Sequence, residues 1–147
     1  MRKTLLVIAT AAFLAATVTS ASATTMKKSL IYMGVLCSKE SASIACTVAG
    51  QNSYTVAMGP GRMLIESNRT LKPVFSRIEP AGALGNPGYE TANKLIGNGA
   101  YCAKLIGSGI GCVPLTGTGF GFAISKTHIF VENLATRKLV FLRYTTG

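Results

Sequence analysis

Apolar and β-branched residues come in short runs along this chain, each closed by turn residues. Tyr54–Met58 is one run, with Gly59-Pro60-Gly61 behind it as a turn. Arg62–Ser67 follows, then the turn Asn68-Arg69, then Thr70–Ile78. Runs of this length, bounded by Gly, Pro and Asn, predict strands joined by tight turns. The same order returns later as Phe120–Ser125, His128–Glu132, a turn near Asn133–Ala135, and Thr136–Tyr144. Ahead of Cys37 and Cys102 the pattern is less defined. There Glu90–Ile96 is predicted as a short helix ended by Gly97. Between Glu79 and Tyr89 the sequence EPAGALGNPGY is rich in Gly and Pro and reads as a linker.

The recurrence is a duplication. TLKPVFSR at 70–77 and TRKLVFLR at 136–143 share the frame T-x-K-x-V-F-x-R. Shifting the chain by 66 extends the match without a gap from 46–77 onto 112–143. Cys46 then meets Cys112, Ala57 meets Ala123, and Glu66 meets Glu132. A shift of 65 carries it upstream: Leu30-Ile31 meets Leu95-Ile96, Gly34 meets Gly99, and Cys37 meets Cys102. Residues 27–77 and 92–143 are therefore two copies of one unit, the second carrying one inserted residue between its cysteines. The expected fold is mostly β, two tandem disulfide-stapled units packed as a pseudo-symmetric sandwich or barrel-like domain. Its segments are a leader at 1–23, repeat 1 at 24–78, a Gly/Pro linker at 79–91 and repeat 2 at 92–147. Units of about fifty residues bury little surface alone, and with a short linker this favours intimate packing.

The front of the chain has a different pattern. Arg2 and Lys3 precede an apolar Ala- and Leu-rich run to about Val18, and Ala21-Ser22-Ala23 follows. These are the three parts of a secretory signal, with cleavage placed after Ala23. Export to the periplasm or the extracellular space is the expected localisation, with no transmembrane segment in the remaining chain. An oxidising compartment makes disulfides the expected state of the four cysteines. Each copy has its own pair, so Cys37–Cys46 and Cys102–Cys112 are favoured over bridges between copies. Each closes a loop of about ten residues, on the order of 2–3 kcal/mol by loop entropy. Zinc fits poorly, because the spacings are wide and the thiols are expected to be oxidised.

Charge narrows the partners. The formal balance is +10, with 15 Lys and Arg against five acids, all of them Glu. Two of the cations, Arg2 and Lys3, leave with the signal. Such a surface attracts an anionic partner: a lipid or other anionic surface, a polysaccharide or an acidic protein. On a strand, alternation puts Lys72 with Val74 and Phe75 with Arg77; it does the same for Lys138 with Val140 and Phe141 with Arg143. Phe75 and Phe141 are expected in the core, with Val74 and Val140 buried on the opposite face. Lys72, Arg77, Lys138 and Arg143 form the candidate binding set, one basic pair per copy. The plainer reading is a solvated flank, or ion pairs with Glu66 and Glu132. Pro73 stands where copy 2 has Leu139, which places its strand at an edge or bends it.

Catalytic patterns are weak. His128, the one histidine, faces Arg62 in the other copy and is expected as an exposed strand residue; no G-x-S-x-G elbow accompanies it. Glu66 and Glu132 are the one repeated carboxylate pair, the minimum a glycosidase needs. Acidic clusters for calcium are lacking. Gly107-x-Gly109-x-Gly111 and Gly117-x-Gly119-x-Gly121 lie outside any strand–helix–strand unit, so they predict tight turns rather than a nucleotide site. No cofactor is expected. The sequence points to an exported, non-enzymatic protein that binds an anionic partner through basic strand residues. The alternatives are a subunit of a surface or secretion assembly joined through strand edges, a small glycan hydrolase using Glu66 and Glu132, and an inhibitor of a secreted enzyme.

Overall fold

Alternation dictates the architecture. In Arg62–Ser67 the side chains of Met63 and Ile65 are buried between more exposed neighbours, and Ile129 and Val131 repeat this in His128–Asn133. Strands apolar on one face must bury that face against another sheet. The computed structural model describes residues 28–48, 53–80, 82–83 and 85–144, and there the chain is all β, with no helix. The first copy gives β1 (Ser29–Tyr32), β2 (Val35–Lys39), β3 (Ile44–Val48), β4 (Tyr54–Gly59), β5 (Arg62–Ser67) and β6 (Pro73–Ile78). The second gives β7 (Lys94–Gly97), β8 (Ala100–Lys104), β9 (Ile110–Pro114), β10 (Phe120–Ile124), β11 (His128–Asn133) and β12 (Lys138–Tyr144). Each copy is one antiparallel meander of six strands in chain order, and the two sheets pack face to face as a sandwich. The proposed leader, 1–23, lies outside the described residues.

The copies touch like with like. The sulfur of Cys46 sits 3.7 Å from that of Cys112, and the rings of Phe75 and Phe141 lie 5.2 Å apart. A pseudo-twofold axis between the sheets passes through both contacts. Both bridges are those predicted. Cys37 stands directly opposite Cys46, and Cys102 opposite Cys112, with Cα separations of 4.0 and 4.1 Å. Each clasp therefore joins neighbouring strands inside the core. Val35, Ile44, Val56 and Ile65 from one sheet meet Ile110, Ile124, Ile129 and Val131 from the other in a single buried cluster. Burying each is worth about 1.5–3 kcal/mol.

Two local expectations fail. Glu90–Ile96 is not helical: Thr91 bridges Lys94, and Lys94–Gly97 is a strand paired to β8. Leu95 takes the core place that Leu30 holds in copy 1, and ladder pairing with burial outweighs the weak helix preference of so short a segment. The signal missed is Asn98-Gly99. This dipeptide favours a two-residue hairpin, and φ is +51° and +80° there. The second failure concerns Val74 and Val140. Both are 40 % exposed, not buried. Phe75 pairs with Ile65 but Pro73 with Glu66, and Phe141 pairs with Val131 but Leu139 with Glu132. Each valine is the extra residue of a β-bulge, which breaks the alternation used to place it.

The repeated frame now has physical content. Its first two residues lie in a turn rather than strand, with Leu71 and Arg137 at φ +56° and +58° and their N–H groups bonded to Ser67 O and Asn133 O. The valine is the bulge, the phenylalanine is the core contact on the axis, and the arginine follows on the same face. Pro73 opens β6, an edge strand, as its missing N–H requires.

Candidate functional site

Strands β6 and β12 are the outer edges of the two sheets, and they face each other across the Phe75–Phe141 contact. Alternation beyond the bulge puts Arg77 on the same face as Phe75, and Arg143 on the same face as Phe141. The Arg77 guanidinium lies 5.9 Å from the Phe75 ring centroid and 5.1 Å from that of Phe120 on the opposite sheet. Arg143 lies 4.9 Å from the Phe141 centroid, and its Nη1 donates to Leu142 O at 2.8 Å. These distances are those of cation–π contacts. The result is an open seam reading Arg77, Phe75, Phe141, Arg143.

Lys72 and Lys138 are elsewhere. Lys72 ends the turn before β6 and Lys138 opens β12, both exposed. Because the twofold reverses strand direction, Lys72 shares one end of the sandwich with Arg143, and Lys138 shares the other with Arg77. The structure thus brings the arginines to the seam and leaves the lysines at its two mouths.

The expected ion pairs with Glu66 and Glu132 do not form with these arginines. Glu132 takes Arg137 at 3.0 Å. Glu90 takes Lys28 at 2.7 Å and also Lys39, tying the start of copy 1 to copy 2. Burial pushes the Glu90 carboxyl up, but hydrogen bonds from Lys28, Lys39 and the Ile96 N–H outweigh it and bring the pKa down to about 2. Among the described residues neither Arg77 nor Arg143 makes an ion pair.

Beside the Arg77 end of the seam a cleft opens between the β4–β5 turn, the end of β6 and the β9–β10 turn. Arg62, Arg77, Glu79, Pro60, Thr116 and Phe120 line it. Its enclosed volume is about 50 Å³, room for one or two waters at about 30 Å³ each. Sequence reasoning did not find it, since its walls come from both copies and from the connector.

The catalytic candidates separate. Met63 and Ile65 point inward on β5, as do Ile129 and Val131 on β11, so Glu66 and Glu132 project from the two opposite outer faces. They cannot flank one glycosidic bond. His128 is half-buried rather than exposed, stacked on Phe130 at 5.9 Å. Its Nδ1 is 2.9 Å from Thr127 Oγ1 and 3.3 Å from Ser125 Oγ. That serine is buried, and its Oγ accepts the N–H groups of Thr127 and His128 at 3.3 and 3.2 Å, which makes it the brace of the β10–β11 turn. The sulfurs of Cys37, Cys46 and Cys112 cluster, but all belong to disulfides and offer no thiolate to a metal. Both glycine-rich stretches begin in hairpin turns, with φ at Gly107 and Gly117 of +76° and +70°, and run into β9 at Gly111 and β10 at Gly121. No protein-family profile matches this chain, and no curated protein is significantly similar to it in sequence.

Proposed function

We propose that this is an exported, non-enzymatic binding protein that engages an anionic partner along the β6–β12 seam. One observation carries the reading. Arg77 and Arg143 are matched by the twofold, held against aromatic rings, exposed, and, among the described residues, left without a carboxylate. A guanidinium stacked on a ring keeps its N–H edge free for carboxylate, sulfate or phosphate oxygens. Lys72 and Lys138 add charge at the mouths and steer the partner in. Export is supported by the N-terminal pattern and by two disulfides, bonds that persist in oxidising compartments.

The test is retention on immobilised polygalacturonate over a salt gradient. Wild-type protein is expected to bind at low salt, with affinity falling steeply as salt rises. Arg77→Gln with Arg143→Gln should elute much earlier than Lys72→Gln with Lys138→Gln. Affinity indifferent to ionic strength, or equal loss from both double variants, contradicts the seam.

A second reading, a subunit joined through strand edges, is favoured by β12. Its outer residues Leu139, Val140 and Tyr144 are exposed on an edge with no strand beyond it. The bulges, Pro73 and the flanking cations all discourage edge pairing. A concentration-independent monomer in sedimentation velocity would remove this alternative.

A further inference from the structure

The pseudo-twofold makes each end of the sandwich a control for the other. At one end the β1–β2 turn of copy 1 sits beside the β8–β9 tip of copy 2. Gly107 N donates to Tyr32 Oη at 3.1 Å, Lys104 Nζ lies 5.6 Å from the Tyr32 ring centroid, and the Lys126 stem covers Gly34. At the other end the same elements meet with their copies exchanged. Asn98 Nδ2 donates to Ser43 O at 3.0 Å, the Lys39 stem covers Gly97, and Pro60 covers Gly99.

The backbones correspond, but the chemistry does not. The Asn98 end is polar, with Glu40, Ser41 and Ser43 on its facing tip and Lys39 neutralised by Glu90. The Met33 end carries Met33, Leu105 and Ile106 in the corresponding places. Met33 is 49 % exposed and Ile106 is 99 % exposed. Met33 also holds φ +48°, the left-handed conformation that suits the Asn of the other copy. Neither packing nor turn geometry accounts for an apolar residue in that place. The net charge leans the same way. Cations stand at both ends, but Glu40, Glu79, Glu90 and Glu132 offset Lys39, Arg62, Arg77, Arg137 and Lys138 toward the Asn98 end, while Arg69, Lys72, Lys104, Lys126 and Arg143 stand toward the Met33 end with Glu66 alone.

We propose that the Met33 end docks on an anionic lipid surface, with Met33 and Ile106 entering the interface and the surrounding lysines and Arg69 meeting headgroup phosphates. The two tips protrude, so they fit a yielding surface rather than receive a peptide. Exposed apolar tips ringed by cations combine apolar burial with attraction to anionic lipid. This site adjoins the seam only at the mouth where Lys72 and Arg143 stand, and its apolar tips lie outside the seam.

The chain has no Trp, so I106W is a clean reporter, and S41W reports the corresponding tip at the other end. With vesicles of phosphatidylglycerol and phosphatidylcholine, I106W should shift to the blue and be quenched by brominated lipid, while S41W should not. Adding Met33→Asn to I106W should weaken vesicle binding about tenfold and leave thermal stability equal or higher. Ile106→Ser should reduce vesicle co-sedimentation to a similar degree, and Arg77→Gln, at the opposite end, should not. No shift from I106W, equal shifts from both reporters, equal binding to pure phosphatidylcholine, or loss confined to the arginine variant would each overturn the proposal. Loss in the Ile106 and Met33 variants alone would sustain it even if polygalacturonate binding proved absent.

Discussion

Glu90→Gln isolates the ionic tie between the copies. Glu90 stands at the end of the linker and holds both Lys28 and Lys39 of copy 1, while accepting the Ile96 N–H of copy 2. Its carboxyl titrates near 2 rather than the ordinary 4.5. At about 1.36 kcal/mol per pKa unit, that difference is worth about 3 kcal/mol of folding stability at neutral pH. The Lys28 side chain is largely exposed, and solvent screening trims the expectation to about 2 kcal/mol. Because the folded-state pKa is the lower one, the contribution is complete above 4.5 and disappears as pH falls toward 2. Urea melts followed by circular dichroism at pH 7 should show the variant unfolding at roughly 1 M less urea. Across pH 5 to 2 the wild-type midpoint should fall more steeply than the variant's until the two converge. Equal midpoints at pH 7, or parallel profiles down to pH 2, would refute the assignment of this carboxylate as the tie.

Other outcomes follow from backbone and core. Leu71→Gly relieves a left-handed residue at the turn before β6 and should raise stability by about 0.5–1 kcal/mol, visible as a melting shift of a few degrees; Arg137→Gly, at the matched turn, also loses the ion pair to Glu132 and should gain less. Gly109→Ala drives a Cβ into the Ile124 carbonyl of the neighbouring strand, and should cost about 2–3 kcal/mol in the same melts. Replacing Cys102 and Cys112 together by Ala removes one clasp and should cost about 2–3 kcal/mol. The other clasp should stay intact, which non-reducing peptide mapping checks.

Self-comparison made most of the fold legible. One copy alone shows three plausible strands; two copies in register fix both cysteine pairs and the like-with-like order. Pro73 marked its strand as an edge because proline lacks the donor a central strand needs. The bulges stayed hidden, because T-x-K-x-V-F-x-R reads as unbroken alternation until ladder pairing shows where the extra residue sits. The predicted helix failed because Leu95 belongs to the core by pairing, information that local propensity does not contain. Of the four candidate cations, the sequence could not separate the arginines from the lysines. The difference lies in Phe75, Phe120 and Phe141, rings drawn together from both sheets by a contact that alternation along one strand cannot reveal.

The clasp-to-clasp contact stands at 3.7 Å on the twofold. Equivalent atoms meeting on a twofold is the geometry of a self-complementary homodimer, so the two copies meet inside one polypeptide as the subunits of such a dimer would. Halves carried on one chain need not be identical. Joined in one chain, one pole is hydrophilic while its counterpart carries greasy tips, a polarity that no symmetric pair of identical subunits can possess.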